Sequence, residues 1–167
     1  RIEIMSTAGD KTRELVEQVI QNQLRQIGVD LRIKNEAARV FFGQTTRERK
    51  FSGMAMFAWS SAPGTSPRTT LHSSQIPTAE NNFSGQNYPG VNIPELDQLV
   101  EALESELDAE KRIPIWERIQ QIYTEELFVF PLFWRSNSFI LPKWLHGLRP
   151  TGHLEPSTVL IEEWTRE

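Results

Sequence analysis

The first third of the chain combines two periods of apolar residues. Residues 2–5 and 29–34 alternate between apolar and polar, as half-buried strands do, while the residues between them repeat apolar positions at helical spacing. Asp10 stands where a helix N-cap is preferred and Gly28 where a left-handed C-terminal cap is preferred. We therefore predict a strand, a helix and a second strand joined as a parallel crossover. The expected buried face of the helix consists of Leu15, Val16, Val19, Ile20, Leu24 and Ile27.

The remaining pattern extends this into an α/β domain. Residues 53–59 form a continuous apolar run, typical of a strand buried on both faces, and residues 60–91 show no period and are expected to form an ordered functional loop. Two apolar faces at helical spacing predict a helical hairpin over 94–125, and proline-containing apolar stretches within 128–141 predict edge strands. The sequence thus predicts a single domain over 1–167, with a mixed sheet flanked by helices.

Composition excludes several classes of function. The net charge is −4 and the basic residues are scattered, so we expect no nucleic-acid partner. The chain has no cysteine, which excludes disulfides and thiolate chemistry, and no apolar run reaches the length of a membrane span. We interpret the start at Arg1, without an initiator methionine or signal peptide, as the interior of a longer protein.

No constellation of catalytic or metal-binding residues is visible. His72, His146 and His153 lie too far apart to predict a metal site, and the loop glycines do not form a phosphate-binding pattern. Ser60 and Ser61 follow a buried strand, but the Gly-x-Ser-x-Gly elbow and an identifiable histidine partner are missing. We therefore expect no metal, no cofactor and no enzymatic activity, and interpret the two hydroxyls as hydrogen-bonding groups.

Trp59 is the strongest candidate for a binding residue. It ends a predicted strand and precedes the long polar loop, which is the place where open α/β sheets bind ligands. A tryptophan at this position is also compatible with a place in the core, so the residues alone leave both interpretations open.

The order of several segments resembles a known family. These segments are the helix and the following Gly-Val-Asp-Leu at 15–31, the apolar strand ending in Phe-Ala-Trp at 57–59, and the stretches 87–99 and 108–125, completed by Phe-Pro-Leu at 130–132. Together they resemble the peptide- and nickel-type extracytoplasmic solute-binding proteins of ABC importers, known as family 5.

The resemblance implies a fold and a role. The chain would supply most of the C-terminal lobe of a two-lobed protein with the type II periplasmic-binding-protein-like fold, the N-terminal lobe being absent. It would be the substrate-binding component of an ABC importer that captures a peptide or similarly sized solute between its lobes and delivers it to a membrane permease. Family members are periplasmic, or lipid-anchored on the outer face of the cytoplasmic membrane, and contact the membrane only through the permease.

The resemblance also implies a ligand site. In peptide-binding relatives an aspartate commonly stands three residues after the tryptophan and pairs with the amino terminus of the peptide, whereas this chain has alanine there, so the class of cargo stays open. The expected ligand-binding residues are Trp59, Ser60, Ser61, Ala62, Asn87 and Tyr88.

Two alternative functions remain. The same fold could serve as the ligand-sensing domain of a cytoplasmic transcription regulator. A small serine hydrolase that uses Ser60 or Ser61 is a second alternative, for which the sequence offers no visible base.

Overall fold

The computed structural model describes residues 1–60, 64–134, 138–150 and 157–166. The chain divides into two compact units, one made of Arg1–Ala58 and Ser66–Val129 and the other of Trp59–Thr65 and Phe130–Glu167. The assignment of 1–167 to a single domain stays a prediction.

The first unit contains a three-stranded parallel sheet. Strand β1 (Ile2–Met5) lies between β2 (Leu31–Ile33) and β3 (Met54–Ala55), and helix α1 (Lys11–Gln26) connects β1 to β2. In this register Ile4 is paired with Ile33 on one side and with Met54 on the other. The predicted parallel crossover is confirmed, and so is the α/β class.

Both predicted caps of α1 are present. Asp10 Oδ1 accepts a hydrogen bond from the backbone N–H of Arg13 at 3.2 Å, which satisfies one of the free donors at the helix start. Gly28 adopts a left-handed conformation with φ of 80°, and its N–H donates to the carbonyl of Arg25. The chain can therefore turn into β2 directly after the helix.

The buried face of α1 differs from the prediction. Leu15 (62%), Val19 (47%) and Ile27 (73%) are exposed, whereas the fully buried residue of the helix is Glu17. The reason is the small size of the sheet: its strands contain four, three and two residues, so it covers only a narrow stripe of the helix.

Short helical segments replace parts of the predicted strand and loop. Helix α2 (Ala38–Val40) continues as a π-helix over Phe41–Thr46, and β3 is limited to two of the seven residues predicted as strand. In the predicted loop, α3 (Arg68–Leu71) is followed by a 3-10 helix over Ser73–Gln75.

The predicted helical hairpin is formed by α4 (Pro94–Ser105) and α5 (Ala109–Glu126). Asp108 caps α5 by accepting from the N–H of Glu110 at 2.9 Å, and Pro114 lies inside the helix without ending it. A core cluster joins the hairpin to α3 and the loop: Leu71, Val91, Leu96, Val100, Leu103 and Ile119. None of the helices in the described residues is long and apolar enough to cross a membrane.

The second unit has little regular structure. It contains an antiparallel pair, β4 (Leu145–His146) with β5 (Thr165–Arg166), and a 3-10 helix over Ser157–Glu163. The described residues of the stretch 128–141 do not form the strands that the sequence predicts. The antiparallel pair is a sheet separate from the parallel one.

Candidate functional site

The carboxyl ends of the three parallel strands carry a polar network in which Ser6 and Glu17 are fully buried. The backbone N–H of Ser6, after β1, donates to Asn35 Oδ1, after β2, at 2.9 Å. Ser6 Oγ donates to the carbonyl oxygen of Met56, after β3, at 2.7 Å, and Asn35 Nδ2 donates to Glu17 Oε2 of α1 at 2.6 Å. These bonds join the ends of all three strands to α1, and we call the four residues the strand-end network. It lies at the edge of the sheet where open α/β folds bind ligands.

The hydrophobic pattern of the sequence does not predict this network. Its only signal is the presence of a glutamate between apolar positions of an amphipathic helix, together with polar residues directly after two strands. Glu17 is completely buried, and its Oε1 atom has no hydrogen-bond partner among the residues that the structure describes. Burial raises the pKa of the Glu17 carboxyl, against a smaller lowering effect of the bond from Asn35.

Four aromatic rings lie beside β3 and form what we call the aromatic cluster: Phe41, Phe42, Phe57 and Tyr88. The ring of Phe57 meets that of Phe42 at 5.9 Å and that of Tyr88 at 6.0 Å between centroids, both edge to face. Phe41 is fully buried and Phe42 is exposed. Burial raises the pKa of the Tyr88 hydroxyl. The predicted binding residue Tyr88 thus lies in an apolar environment next to the end of β3.

Asn87, the second predicted binding residue in the loop, is buried completely. Its Oδ1 accepts from the N–H groups of Gly90 and Val91 at 3.1 and 2.9 Å. Its Nδ2 lies 3.1 Å from the carbonyl oxygen of His72 and 2.8 Å from that of Val91. The side chain therefore holds the loop together, and its predicted contact with a ligand stays a prediction.

Two arginines fix the same loop from the end of the π-helix. Arg49 Nε donates to the carbonyl oxygen of Tyr88 at 2.9 Å, and Arg47 Nη2 donates to that of Asn82 at 3.2 Å. Arg49 has a φ of 53°, which is uncommon for a residue with a side chain. The described part of the predicted loop, 64–91, is accordingly held by side-chain contacts and contains α3 and a 3-10 helix.

The remaining predicted binding residues lie elsewhere. Trp59 and Ser60 belong to the second unit and are exposed. Ser61 and Ala62 lie outside the described residues. The structure thus brings Asn87 and Tyr88 together in the first unit, and the roles of all six predicted residues stay predictions.

His72 is the most heavily hydrogen-bonded histidine among the described residues. Its Nδ1 accepts from the backbone N–H of Ser74 at 3.1 Å, so the neutral ring carries its proton on Nε2, which lies 3.3 Å from Glu101 Oε1. This arrangement caps the 3-10 helix. Within the part of the chain that the structure describes, no group of histidine and acidic side chains could hold a metal ion.

Comparison with known proteins identifies relatives of this fold. No protein-family model matches the chain. The oligopeptide-binding protein AppA of Bacillus subtilis is 26% identical over 162 residues, which are 96% of this chain and 28% of that protein. The crystal structure of the oligopeptide-binding protein of Thermus thermophilus, complexed with a pentapeptide, superimposes with a TM-score of 0.79 at 32% identity over 86% of this chain. The chain is related to the family 5 extracytoplasmic solute-binding proteins. The resemblance found in the sequence is thereby confirmed.

A nickel-type member shows the same fold. NikZ of Campylobacter jejuni, crystallised with Ni(L-His), superimposes with a TM-score of 0.71 at 20% identity over 99% of this chain. The expected type II periplasmic-binding-protein-like lobe is confirmed by these neighbours. The chain spans only about a quarter to a third of the relatives it matches: 28% of AppA, 26% of the Thermus protein and 33% of NikZ.

Proposed function

We propose that this chain is part of the substrate-binding component of an ABC importer, which captures a peptide or similarly sized solute in a cleft between two lobes and delivers it to a membrane permease. The observation that carries the proposal is the match in both sequence and fold to an oligopeptide-binding protein that was crystallised with a pentapeptide. The relatives favour this function over a transcription regulator or a serine hydrolase, since they carry the names of binding and transport proteins.

The proposal includes a second lobe as a partner within the same protein. Its support is the apolar surface of the second unit, where Phe130, Trp134 and Ile140 expose 70, 100 and 97% of their surface. Large apolar side chains are usually buried when a protein folds, and exposure of this extent is expected where another part of the protein covers them. The matched relatives are three to four times as long as the part that this chain spans, which is long enough for another lobe.

The proposed ligand contacts are the residues predicted from the sequence, in the segment that follows β3 along the chain and in the loop. Trp59 offers a flat apolar surface, 47% exposed, and Ser60 and Ser61 offer hydroxyl groups. Tyr88 contributes from the aromatic cluster. The ligand is released chemically unchanged, so the protein is not an enzyme, and it works in the periplasm or at the outer face of the cytoplasmic membrane.

The test uses a longer form of the protein that includes the proposed second lobe. Native mass spectrometry identifies the solute that copurifies with it, and calorimetry then compares the wild type with Trp59→Ala. We expect the substitution to weaken binding at least tenfold, since it removes a large part of the apolar contact surface. Trp144→Ala is the matched control, because this tryptophan has the same 47% exposure but is not a proposed contact.

Two results would count against the proposal. One is an equal loss of affinity in both variants, which would show a general effect of removing an indole ring. The other is conversion of the copurified solute into a product by the purified protein.

A further inference from the structure

The strand-end network contains one carboxyl group, that of Glu17, which is fully buried. An ionised carboxylate can accept about four hydrogen bonds, yet from the described residues Glu17 receives one, from Asn35 to Oε2, and Oε1 receives none. A fully buried charge with one donor is costly, whereas a protonated carboxyl is tolerated much better in the same place. The surroundings of Glu17 therefore suit its neutral form.

The charges near Glu17 do not compensate for its burial. On its own helix, the carboxylate of Glu14 disfavours ionisation and the guanidinium of Arg13 favours it. The other side chains of the network that follow the strands, Ser6 and Asn35, are uncharged. The nearby carboxylate of Glu36 is engaged with Thr45 Oγ1 at 2.5 Å. Burial is consequently the strongest influence on the protonation of this carboxyl.

The geometry also defines a path from Glu17 to β3. The amide of Asn35 has one orientation, because its oxygen accepts from the N–H of Ser6 while its nitrogen donates to Glu17. Ser6 in turn donates through Oγ to the carbonyl of Met56, the residue that follows β3. A movement of the Glu17 carboxyl toward water would displace Asn35. The hydrogen bonds of Ser6 with Asn35 and with Met56 would then change.

We propose that the protonation state of Glu17 controls the arrangement of the strand ends. When Glu17 loses its proton, the hydrogen bonds through Asn35 and Ser6 change and the position of Met56, which follows β3, changes with them. The proposal concerns the first unit alone and does not depend on the proposed transport function. The position of Met56 would then depend on pH, and this residue directly precedes Phe57 of the aromatic cluster and lies three residues before Trp59.

The direction of the pH effect follows from the burial of the carboxyl. Its pKa is raised above the ordinary value of 4.5 in the folded chain, so the folded state holds this proton more tightly than the unfolded state does. The contribution of Glu17 to stability is then fully present below pH 4.5 and is lost as the pH rises through the folded pKa. Glu14, on the same helix, has a pKa lowered by Lys11 and by the N–H of Gly9, and therefore shows the opposite dependence.

The experiment is an NMR titration of the 167-residue chain with labelled glutamate carboxyl carbons and labelled amides. We expect one glutamate to titrate well above the others, and the side-chain amide of Asn35 and the backbone amide of Met56 to shift at the same midpoint. In Glu17→Gln, which keeps the shape but cannot ionise, these shifts should disappear. In Glu14→Gln, the matched control, they should remain.

Each alternative outcome would overturn the proposal. It fails if no glutamate of the wild type titrates above the ordinary range, a measurement that requires no folded variant. It also fails if the Met56 amide does not respond at the Glu17 midpoint, or if its response persists in Glu17→Gln.

Discussion

Arg49 Nε donates a hydrogen bond to the carbonyl oxygen of Tyr88 at 2.9 Å, across 39 positions of the chain. The same guanidinium lies close to Gly90, since a Cβ atom added there would clash with Arg49 Nη2. The loop shows no periodic pattern in the sequence, yet the guanidinium of Arg49 binds its backbone at Tyr88. The ring of the same residue contacts the ring of Phe57.

The first prediction tests this contact with glycine substitutions. Gly90→Ala and Gly28→Ala both place a side chain on a backbone with φ near 80°, which costs about 1–2 kcal/mol. Only the first brings the new atom against Arg49, since nothing lies within 4 Å of the Cβ position at Gly28. We expect Gly90→Ala to lower the free energy of unfolding more than Gly28→Ala, as measured by urea denaturation.

A double mutant isolates the role of the guanidinium. In an Arg49→Ala background the excess cost of Gly90→Ala should vanish, leaving only the backbone strain. An excess that survives the removal of Arg49 would show that the loop is fixed by other contacts.

The second prediction concerns the buried amide of the loop. Asn87→Ala removes the side-chain partner of the Val91 N–H and of the Val91 carbonyl. The Gly90 N–H and the His72 carbonyl keep backbone partners, the carbonyl of Asn87 and the N–H of Gln75. Leaving both backbone groups of the buried Val91 without a partner should reduce the free energy of unfolding by about 2 kcal/mol or more. Asn92→Ala, at an exposed position nearby, should change it by less than about 0.5 kcal/mol. Equal effects in thermal denaturation would contradict the loop-holding role.

The elements that depend on local signals could be predicted from the sequence. The caps at Asp10 and Gly28 and the hairpin of α4 and α5 require only short-range patterns, and the structure contains all of them. The strand β3 was overestimated, because an apolar run does not specify how many of its residues find a partner strand.

The candidate site was harder to predict, because its bonds join residues far apart in the chain. Ser6 and Met56 are 50 positions apart, and neither residue type indicates that the other is its partner. Asn87 was correctly placed in an ordered loop, but its residue type does not show whether the amide faces a ligand or the backbone. The buried position of Glu17 contradicts the usual placement of glutamate, so no periodic pattern could have predicted it.

The third prediction concerns acid stability. Arg68 and Ser66 donate to the carboxylate of Glu104 and lower its pKa to about 2. A lowered folded pKa means that this stabilisation is present above the ordinary value of 4.5 and is lost as the pH falls toward about 2. Glu104→Gln should therefore lower the melting temperature at about pH 6 but not near pH 2. Glu117→Gln, at an exposed position of α5, should show no such difference, and a Glu104 effect that is independent of pH would contradict the ion pair.

The last prediction concerns the class of cargo and rests on Ala62. Residues 60–70 contain no acidic residue, and Arg68 is the only charged residue among them. A free ammonium group removed from water needs a charged partner, so this part of the proposed site should not accept the amino terminus of a peptide.

The consequence is measurable in a longer form of the protein that includes the second lobe. Its melting temperature should rise as much with N-acetylated peptides as with the corresponding free peptides, or more. Ala62→Asp should reverse this order, because it introduces a carboxylate where peptide-binding relatives commonly have one and a charge-assisted hydrogen bond to the ammonium becomes possible. Ala58→Asp, four positions earlier at an exposed residue, controls for the added charge alone. One outcome would contradict the prediction: free peptides stabilise the wild type and acetylated peptides do not, even after acidic residues of the other lobe are neutralised. The ammonium would then be recognised without a carboxylate at this position.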